Sequence, residues 1–325
     1  MFRRLGLFTA TVVALVTVPV PASAVQPVSV VAHRGASAYA PENTLAAFEL
    51  ARDQRADLFE LDVQESKDHE LVVVHDTTLT RTTDAEQVFP GRSPWRVRDL
   101  TLAEIRRLDA GSWFAAKYRD ERVPTLAEAL RAMDGGGLGL LLEVKAPELY
   151  PGIEERVADE LRRNPAWLTP GRLVVQSFDW DSMRTFHRVM PQVPVGLLGT
   201  PPVSRLAELS GFARQINPPY GDLTPGYVRS VHEHRMEVFT WTVDSQEAMR
   251  RVISQGVDGV ITNRPDVLRE VVSLPQRRAT TSRKQRKAVS TSSLRRRGAA
   301  HAASLKRRGT VPAASRPARP ASRPR

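Results

Sequence analysis

The chain has 325 residues, of which 41% are hydrophobic and 26% charged, and this length suffices for one large globular domain or two smaller ones. It contains no cysteine, which excludes disulfides, thiolate metal sites and cysteine nucleophiles. The formal net charge of +11 is unevenly distributed, because residues 276–325 hold 16 of the 47 lysines and arginines and no acidic residue. The rest of the chain is therefore mildly acidic.

Residues 1–24 have the pattern of an export signal. Arg3 and Arg4 precede an apolar stretch from Leu5 to about Val18, and Ala22–Ser23–Ala24 fits the small-residue cleavage pattern. The apolar stretch is short for a membrane span. We therefore expect a secreted or cell-surface protein that is not an integral membrane protein once the signal is cleaved. An uncleaved N-terminal anchor is the alternative.

From residue 29 onward, short apolar runs alternate with helical patterns, which predicts parallel strands covered by helices. The predicted strands lie at 29–33, 57–63, 70–76, 138–145, 172–178, 193–199, 237–243 and 256–263. The predicted helices lie at 43–54, 124–133, 153–163, 181–189, 227–234, from 246 and at 264–273, and a weaker region contains "INPPY". This alternation over residues 25–275 predicts a closed TIM (β/α)8 barrel. An open doubly wound sheet is the alternative.

Two segments depart from the alternation. Residues 77–123 show no clear strand–helix unit, and we interpret them as a segment inserted after the third strand and folded over one end of the barrel. The basic tail at 276–325 is predicted to be disordered. Its clusters would suit anionic cell-wall polymers or phospholipid headgroups, and the export signal argues against a specific nucleic-acid partner. A purely solvated extension is the alternative.

Ionisable and hydrogen-bonding side chains lie at the ends of the apolar runs. In a parallel barrel the carboxyl ends of all strands meet at one rim, so residues at these positions should gather there. Burying so many ionisable groups without a function would be costly. The residues are His33, Arg34, Glu60, Asp62, His75, Asp76, Glu143 and Lys145, with Gln176, Ser177 and Trp241 after later runs.

Three of these residues predict a metal site. Glu60 and Asp62 point to the same side of their strand, because side chains alternate, and Glu143 would join them from another strand. Carboxylates held together repel unless a positive charge lies between them. All-oxygen ligands favour a hard divalent cation, Ca²⁺ or Mg²⁺. The alternative is a network of salt bridges to Lys145 and Arg34.

His33 and His75 each follow an apolar run at the same predicted rim. Either could be structural, but two imidazoles beside an acidic cluster can divide acid and base work near neutral pH. Arg34 offers a planar donor fork for a phosphate or carboxylate.

The motifs together resemble one known family. "AHRGASAYAPENTLAAFELA", "ELDVQESKDHELVVVHDTTLTRTT", "LLLEVK", "SF", "WTVD" and "GVDGVITNRPD" occur in the order found in the glycerophosphodiester phosphodiesterases, over residues 28–272. The resemblance implies a TIM barrel with an insertion after the "HD" strand. It also implies hydrolysis of glycerophosphodiesters, such as glycerophosphocholine or glycerophosphoethanolamine, to glycerol 3-phosphate and an alcohol.

Residue by residue, the resemblance implies an acid–base pair, a metal site and a substrate pocket. The pair is His33 and His75, the metal ligands for Ca²⁺ or Mg²⁺ are Glu60, Asp62 and Glu143, the phosphate contacts are Arg34 and Lys145, and the pocket wall includes Trp241 with Phe178. Glu42 and Asn43 would support these groups. Asn263 departs from the acidic residue of many relatives, and we expect it to be peripheral with little effect on the chemistry.

Two other functions remain open at this point. The same site could act on a lysophospholipid, with Trp95, Trp113 and Phe114 of the insertion forming an apolar patch near the mouth. Alternatively, the barrel could be inert and the basic tail could make the chain a surface protein that binds polyanions.

Overall fold

A computed structural model describes residues 27–273, so the predicted signal at 1–24 and the tail at 276–325 lie outside the described part of the chain. The strands are β1 (Ser29–Ala32), β2 (Leu58–Glu65), β3 (Leu71–Val73), β4 (Gly139–Val144), β5 (Leu173–Ser177), β6 (Val195–Leu198), β7 (Gln215–Asn217), β8 (Glu237–Thr240) and β9 (Gly259–Thr262). The helices are α1 (Leu45–Asp53), α2 (Ala85–Val88), α3 (Leu102–Ile105), α4 (Leu126–Met133), α5 (Ile153–Arg163), α6 (Trp180–Val189), α7 (Leu206–Leu209), α8 (Pro225–Glu233), α9 (Gln246–Gln255) and α10 (Pro265–Ser273).

Eight of these strands form a closed parallel barrel. Their order around the ring is β1, β2, β4, β5, β6, β7, β8 and β9, and β9 pairs with β1. On its other side β1 pairs with β2, with Val31 opposite Leu58. The predicted TIM barrel is confirmed, and closure through β1 excludes the open doubly wound sheet.

The apolar runs form strands because both of their faces are covered. Every residue of β4 is buried, as expected for a barrel strand with helices outside and packed side chains inside. α4 covers the outer surface with buried residues three or four positions apart, which lie on one helix face. A capping box between Thr125 and Glu128 fixes where α4 begins.

The strand predicted at 70–76 differs from the expectation. β3 lies outside the ring and pairs antiparallel with the far end of β2, with Val63 opposite Val73. β2 is long enough to extend beyond the rim, and β3 brings the chain back toward it. Val74 then donates from its backbone N–H to the Asp62 carbonyl oxygen, 2.9 Å away. His75 therefore reaches the rim from a returning hairpin and not from a barrel strand.

One barrel strand, β7, lies in the region where the sequence pattern is weak. β7 consists of Gln215, Ile216 and Asn217, and all three residues are buried. Only one of them is apolar, so the strand has no apolar run. Its polar side chains lie inside the barrel, and Asn217 is fully buried.

The insertion follows β3 as predicted and has a small hydrophobic core of its own. Alternate residues from β3 to the next position face different cores. Leu71 and Val73 pack in the main core, whereas Val72 and Val74, which directly follows β3, pack with the insertion. This core includes Val97, Leu100, Ile105 and Leu108. Within residues 27–273, no helix has both the length and the apolar character needed to cross a membrane.

Candidate active site at the barrel rim

The carboxyl ends of the strands surround a cleft. It is lined by His33, Arg34, Glu60, His75, Glu143, Lys145, Gln176, Phe178, Leu198, Trp241, Thr242 and Ile261. Seven of the eight residues predicted to form the site are therefore on this surface. The eighth, Asp62, has no exposed surface and contacts the others from below.

The strand register brings the three predicted metal ligands together. Asp62 on β2 is the register partner of Glu143 on β4, and Glu60 lies two residues earlier on the same side of β2. One carboxylate oxygen from each of the three lies within 4.8 Å of the others. All three residues are buried. Glu60 and Glu143 are far apart in sequence, and the parallel pairing of β2 with β4 brings them together.

Arg34 and Lys145 do not fully compensate the negative charge that Glu60, Asp62 and Glu143 would carry together. Burial, together with the charge of Asp62, raises the pKa of Glu60 well above its usual range and raises the pKa of Glu143 to about 8. Burial would also raise the pKa of Asp62, but the positive charges of Arg34 and Lys145 outweigh it and lower that pKa. Without a further positive charge, Glu60 and Glu143 therefore lose their protons less readily than ordinary glutamates.

These residues fit a hard divalent cation. Oδ1 of Asp62 is buried and makes no hydrogen bond within residues 27–273, so an acceptor oxygen lies unused at the centre of the cluster. The donor set consists of carboxylate oxygens, which suit Ca²⁺ or Mg²⁺. A cation held by Glu60, Asp62 and Glu143 would also supply the missing positive charge.

Both predicted phosphate-binding cations lie beside the carboxylates. The backbone N–H of Arg34 donates to Oε2 of Glu60 at 2.7 Å, and its Nε is 3.3 Å from Oδ2 of Asp62. Nζ of Lys145 is 2.9 Å from Oε1 of Glu143 and 3.9 Å from Oδ1 of Asp62. The ion pairs of the alternative prediction are thus present, but they leave the Asp62 oxygen without a hydrogen bond.

Residues of the "PENT" motif support the site from behind, as the resemblance implied. Nδ2 of Asn43 donates to Oδ2 of Asp62 at 2.8 Å. Glu42 accepts a hydrogen bond from the Arg34 side chain, also at 2.8 Å. These contacts fix the orientation of one acid and one guanidinium group.

His33 is held by the residue that we expected to be peripheral. Oδ1 of Asn263 lies 2.7 Å from Nδ1 of His33, while Nδ2 of Asn263 donates to Asp244 at 2.6 Å. Because a carboxylate only accepts, Asp244 orients the amide so that its oxygen faces the imidazole. His33 therefore carries its proton on Nδ1 when neutral and keeps Nε2 for the cleft. Burial and the neighbouring Arg34 charge lower the pKa of His33 to about 4.

His75 has a different partner. Its Nδ1 lies 2.6 Å from Oδ1 of Asp76, so a carboxylate supports the ring. Arg81 donates to both oxygens of Asp76 and to both oxygens of Glu42, at 2.7–3.0 Å. Hydrogen bonds from Arg81 hold the pKa of Asp76 well below its usual range.

Arg81 was not singled out in the sequence, although "HDTTLTR" places it five residues after Asp76. It links the support of His75 to Glu42, which holds Arg34. The insertion that contains Arg81 is thereby tied to the rim.

An aromatic wall closes part of the cleft. Trp241 and Phe178 pack edge to face with ring centroids 5.6 Å apart, and Nε1 of Trp241 donates to the Asn217 carbonyl oxygen. Trp95, Trp113 and Phe114 of the insertion do not line this cleft. Trp95 packs against the core of the insertion, and Trp113 packs on Phe114.

The closed barrel and a rim with clustered acids, two cations and two imidazoles define a TIM-barrel hydrolase with a site suited to a phosphate ester. Residues 33–267 match the model of the glycerophosphoryl diester phosphodiesterase family. The chain belongs to this family and is a phosphoric diester hydrolase.

Similar proteins match about three quarters of this chain. A glycerophosphodiester phosphodiesterase of Caldanaerobacter subterraneus subsp. tengcongensis is 38% identical over 247 residues, which are 75% of this chain and 97% of the relative. One from Bacillus subtilis is 36% identical over 258 residues, covering 74% and 85%. The solved structure of an Oleispira antarctica phosphodiesterase in complex with the product sn-glycerol-3-phosphate has a TM-score of 0.68 and 29% identity, covering 76% of this chain and 97% of its own.

Proposed function

We propose that this protein is a metal-dependent glycerophosphodiester phosphodiesterase. It hydrolyses substrates such as glycerophosphocholine or glycerophosphoethanolamine to glycerol 3-phosphate and an alcohol, with His33 and His75 as the acid–base pair. The observation that carries the proposal is the convergence of both imidazoles with the three carboxylates and two cations at one rim. The product bound by the Oleispira antarctica relative supports the choice of substrate.

The phosphate diester would bind over β1, β2 and β4. Glu60, Asp62 and Glu143 would hold a divalent cation, which when bound supplies positive charge for a non-bridging phosphate oxygen. Arg34 and Lys145 donate to the remaining phosphate oxygens and stabilise charge as phosphorus becomes five-coordinate. Both are already oriented by carboxylates, so little side-chain freedom is lost on binding.

His33 is the better starting base. Its partner Asn263 is a neutral amide, and its lowered pKa leaves the ring uncharged at neutral pH. Nε2 can therefore accept a proton from the attacking hydroxyl group. That group is either water or the neighbouring glycerol hydroxyl of the substrate, the latter giving a cyclic phosphate.

His75 is the better starting acid. Nδ1 of His75 lies 2.6 Å from the Asp76 carboxylate, which orients the ring and leaves Nε2 free to deliver a proton. When the bond from phosphorus to the leaving oxygen breaks, His75 gives that oxygen a proton and the alcohol departs. With a cyclic phosphate, water then opens the ring and the two histidines exchange roles.

The test is release of glycerol 3-phosphate from glycerophosphocholine and glycerophosphoethanolamine by the purified protein, before and after chelation. We expect EDTA to abolish turnover and Ca²⁺ or Mg²⁺ to restore it. Full turnover after thorough chelation would refute metal dependence, and hydrolysis of lysophosphatidylcholine but not glycerophosphocholine would favour the lysophospholipid alternative.

We also infer from the sequence that the protein acts outside the cytoplasm, retained through its basic tail. The export pattern at 1–24 and the 16 basic residues of 276–325 support this location. Fractionation of cells that express the full chain or a chain without 276–325 tests both points. Retention that survives this deletion in low-salt buffer would remove the role of the tail.

A further inference from the structure

One buried polar residue of the cleft has no role in the chemistry above. Gln176 lies near the end of β5, its side chain lines the cleft, and only 2% of its surface is exposed. It is the register partner of Glu143 on β4, so both side chains project to the same side of the sheet. Gln176 therefore stands next to the carboxylate cluster without belonging to it.

Only the oxygen of the Gln176 amide is hydrogen-bonded within residues 27–273. Its Oε1 accepts a hydrogen bond of 2.7 Å from Nδ2 of Asn217 on β7. Its Nε2 makes no hydrogen bond within residues 27–273, and it stays open to the cleft that the side chain lines. Nε2 is not among the fully buried atoms without a partner, so water can reach it in the free protein. A ligand that displaces this water must replace its hydrogen bond, so a ligand oxygen is expected to accept from Nε2.

The structure around this amide is built to orient it. Strand β6 lies between β5 and β7. Its Gly196 is the register partner of Gln176 and also lies beside the side-chain amide of Asn217. A Cβ atom on Gly196 would be 2.9 Å from Nδ2 of Asn217 and 3.4 Å from Cβ of Gln176. Glycine thus leaves the space for the bond between the two amides, and this bond directs Nε2 toward the cleft.

The position of Gln176 indicates which part of a substrate it meets. The proposed phosphate-binding residues Arg34 and Lys145 follow β1 and β4. Gln176 lies on β5, the neighbour of β4, and Phe178 after β5 packs against Trp241 to form the aromatic wall. The organic group next to the phosphate would therefore contact this region. Glycerol offers carbon atoms for the aromatic wall and hydroxyl oxygens for an amide donor.

We propose that Gln176 recognises a glycerol hydroxyl oxygen of the substrate through Nε2, with Asn217 as its positioning residue. This inference rests on the proposed function and adds a residue that selects glycerol over alcohols without hydroxyl groups. A site that hydrogen-bonds a hydroxyl rejects an analogue that lacks it, because the buried donor is then left unpaired.

The experiment compares the binding of sn-glycerol 3-phosphate and n-propyl phosphate by calorimetry, with Mg²⁺ or Ca²⁺ present. These ligands share the phosphate and the three-carbon chain but differ in the hydroxyl groups. We expect the wild-type protein to prefer glycerol 3-phosphate and Gln176→Met to lose about tenfold of that preference. Asn217→Ser should reduce the preference in the same direction, and it serves as the test if Gln176→Met does not fold.

The matched control is Gln215→Met. Gln215 is also a buried glutamine of the barrel interior, but it donates to Glu237 and does not line the cleft. Its substitution should leave the preference unchanged. An unchanged preference in Gln176→Met, or an equal loss in Gln215→Met, overturns the inference while hydrolysis of glycerophosphocholine by the wild type stands. A wild type that cannot hydrolyse glycerophosphocholine overturns the proposed function and this inference together.

Discussion

Nδ1 of His33 donates a hydrogen bond to Oδ1 of Asn263, 2.7 Å away, across a sequence separation of 230 residues. The partner of His75, in contrast, is the carboxylate of the adjacent Asp76. The two imidazoles therefore have different hydrogen-bond partners, a neutral amide and a carboxylate. We propose that this difference suits His33 to the role of base and His75 to the role of acid.

The first prediction concerns the orientation of Asn263. Asp244→Asn removes the acceptor that fixes the amide, so the amide can turn and present its NH₂ group to His33. The proton would then move to Nε2, and the ring could no longer accept one from the nucleophile. We expect kcat to fall about 10- to 100-fold with little change in KM, as is typical when the support of a catalytic group is lost.

Steady-state kinetics with glycerophosphocholine and a thermal melt measure this effect. Asp266→Asn is the control, because Asp266 is a nearby carboxylate that bonds Tyr39 and does not touch the imidazole network. A wild-type kcat in Asp244→Asn would contradict the role of Asn263.

The second prediction separates acid from base. His75→Ala should lower kcat by about 10²- to 10⁴-fold when choline is the leaving group, because choline needs a proton. The loss should be much smaller with p-nitrophenol as the leaving group, because p-nitrophenolate leaves without one. His33→Ala should impair both substrates to a similar extent.

The opposite pattern, with His33→Ala rescued by the better leaving group, would reverse the two roles. His69→Ala is a suitable control, since this histidine is exposed, lies 3.3 Å from Glu65 and does not line the cleft. Its kinetics should match those of the wild type.

The third prediction concerns Arg81, which joins Asp76 to Glu42. Arg81→Met keeps much of the side-chain length but removes four hydrogen bonds. We expect kcat/KM to fall about 10- to 100-fold, because both His75 and Arg34 lose support.

Arg92→Met is the matched control for Arg81→Met. Arg92 lies in the same insertion, is similarly exposed and pairs with Glu104 at 2.8 Å. If both variants lose activity equally, the cause is the stability of the insertion and not the link between His75 and Arg34.

The fourth prediction is a metal-dependent stability that varies with pH. Burial and the charge of Asp62 raise the pKa of Glu143 to about 8 in the folded protein, above its value in an unfolded chain. The folded state therefore binds more protons than the unfolded state between these values. Its stability without metal should fall as pH rises from about 5 to 8.

A divalent cation binds the ionised carboxylates, so its stabilising effect should be larger at pH 8 than at pH 6. Thermal melts with EDTA, Mg²⁺ or Ca²⁺ at several pH values measure this. Glu143→Gln should reduce both the loss of stability with pH and the gain from metal. Melting temperatures that do not respond to either cation at any pH would rule out the metal site.

Much of the secondary structure follows from local sequence patterns. The helix predicted at 153–163 has the bounds of α5, and the predicted strand at 138–145 contains β4. Prediction was weakest at β7, because Gln215–Asn217 contains only one apolar residue and its polar side chains pair inside the barrel. Such a strand has no periodic signal, since its partners belong to other strands.

The residues of the site were predicted from the sequence, but the hydrogen bonds and strand pairings that position them were not. Glu60, Asp62 and Glu143 could be grouped because strands of a parallel barrel end at one rim. The antiparallel return of β3, which carries His75 to that rim, could not be read from an apolar run, because parallel and antiparallel strands share the same composition.

The sequence by itself determined which residue types stand at the strand ends and hence the family, because periodicity and motif order are local properties of the chain. The tertiary structure decided how those residues are oriented. Asp244 turns the amide beside His33, Arg81 joins two acids, and Gly196 leaves room for two amides to meet. These arrangements depend on distances between segments far apart along the chain, which only the closed barrel fixes.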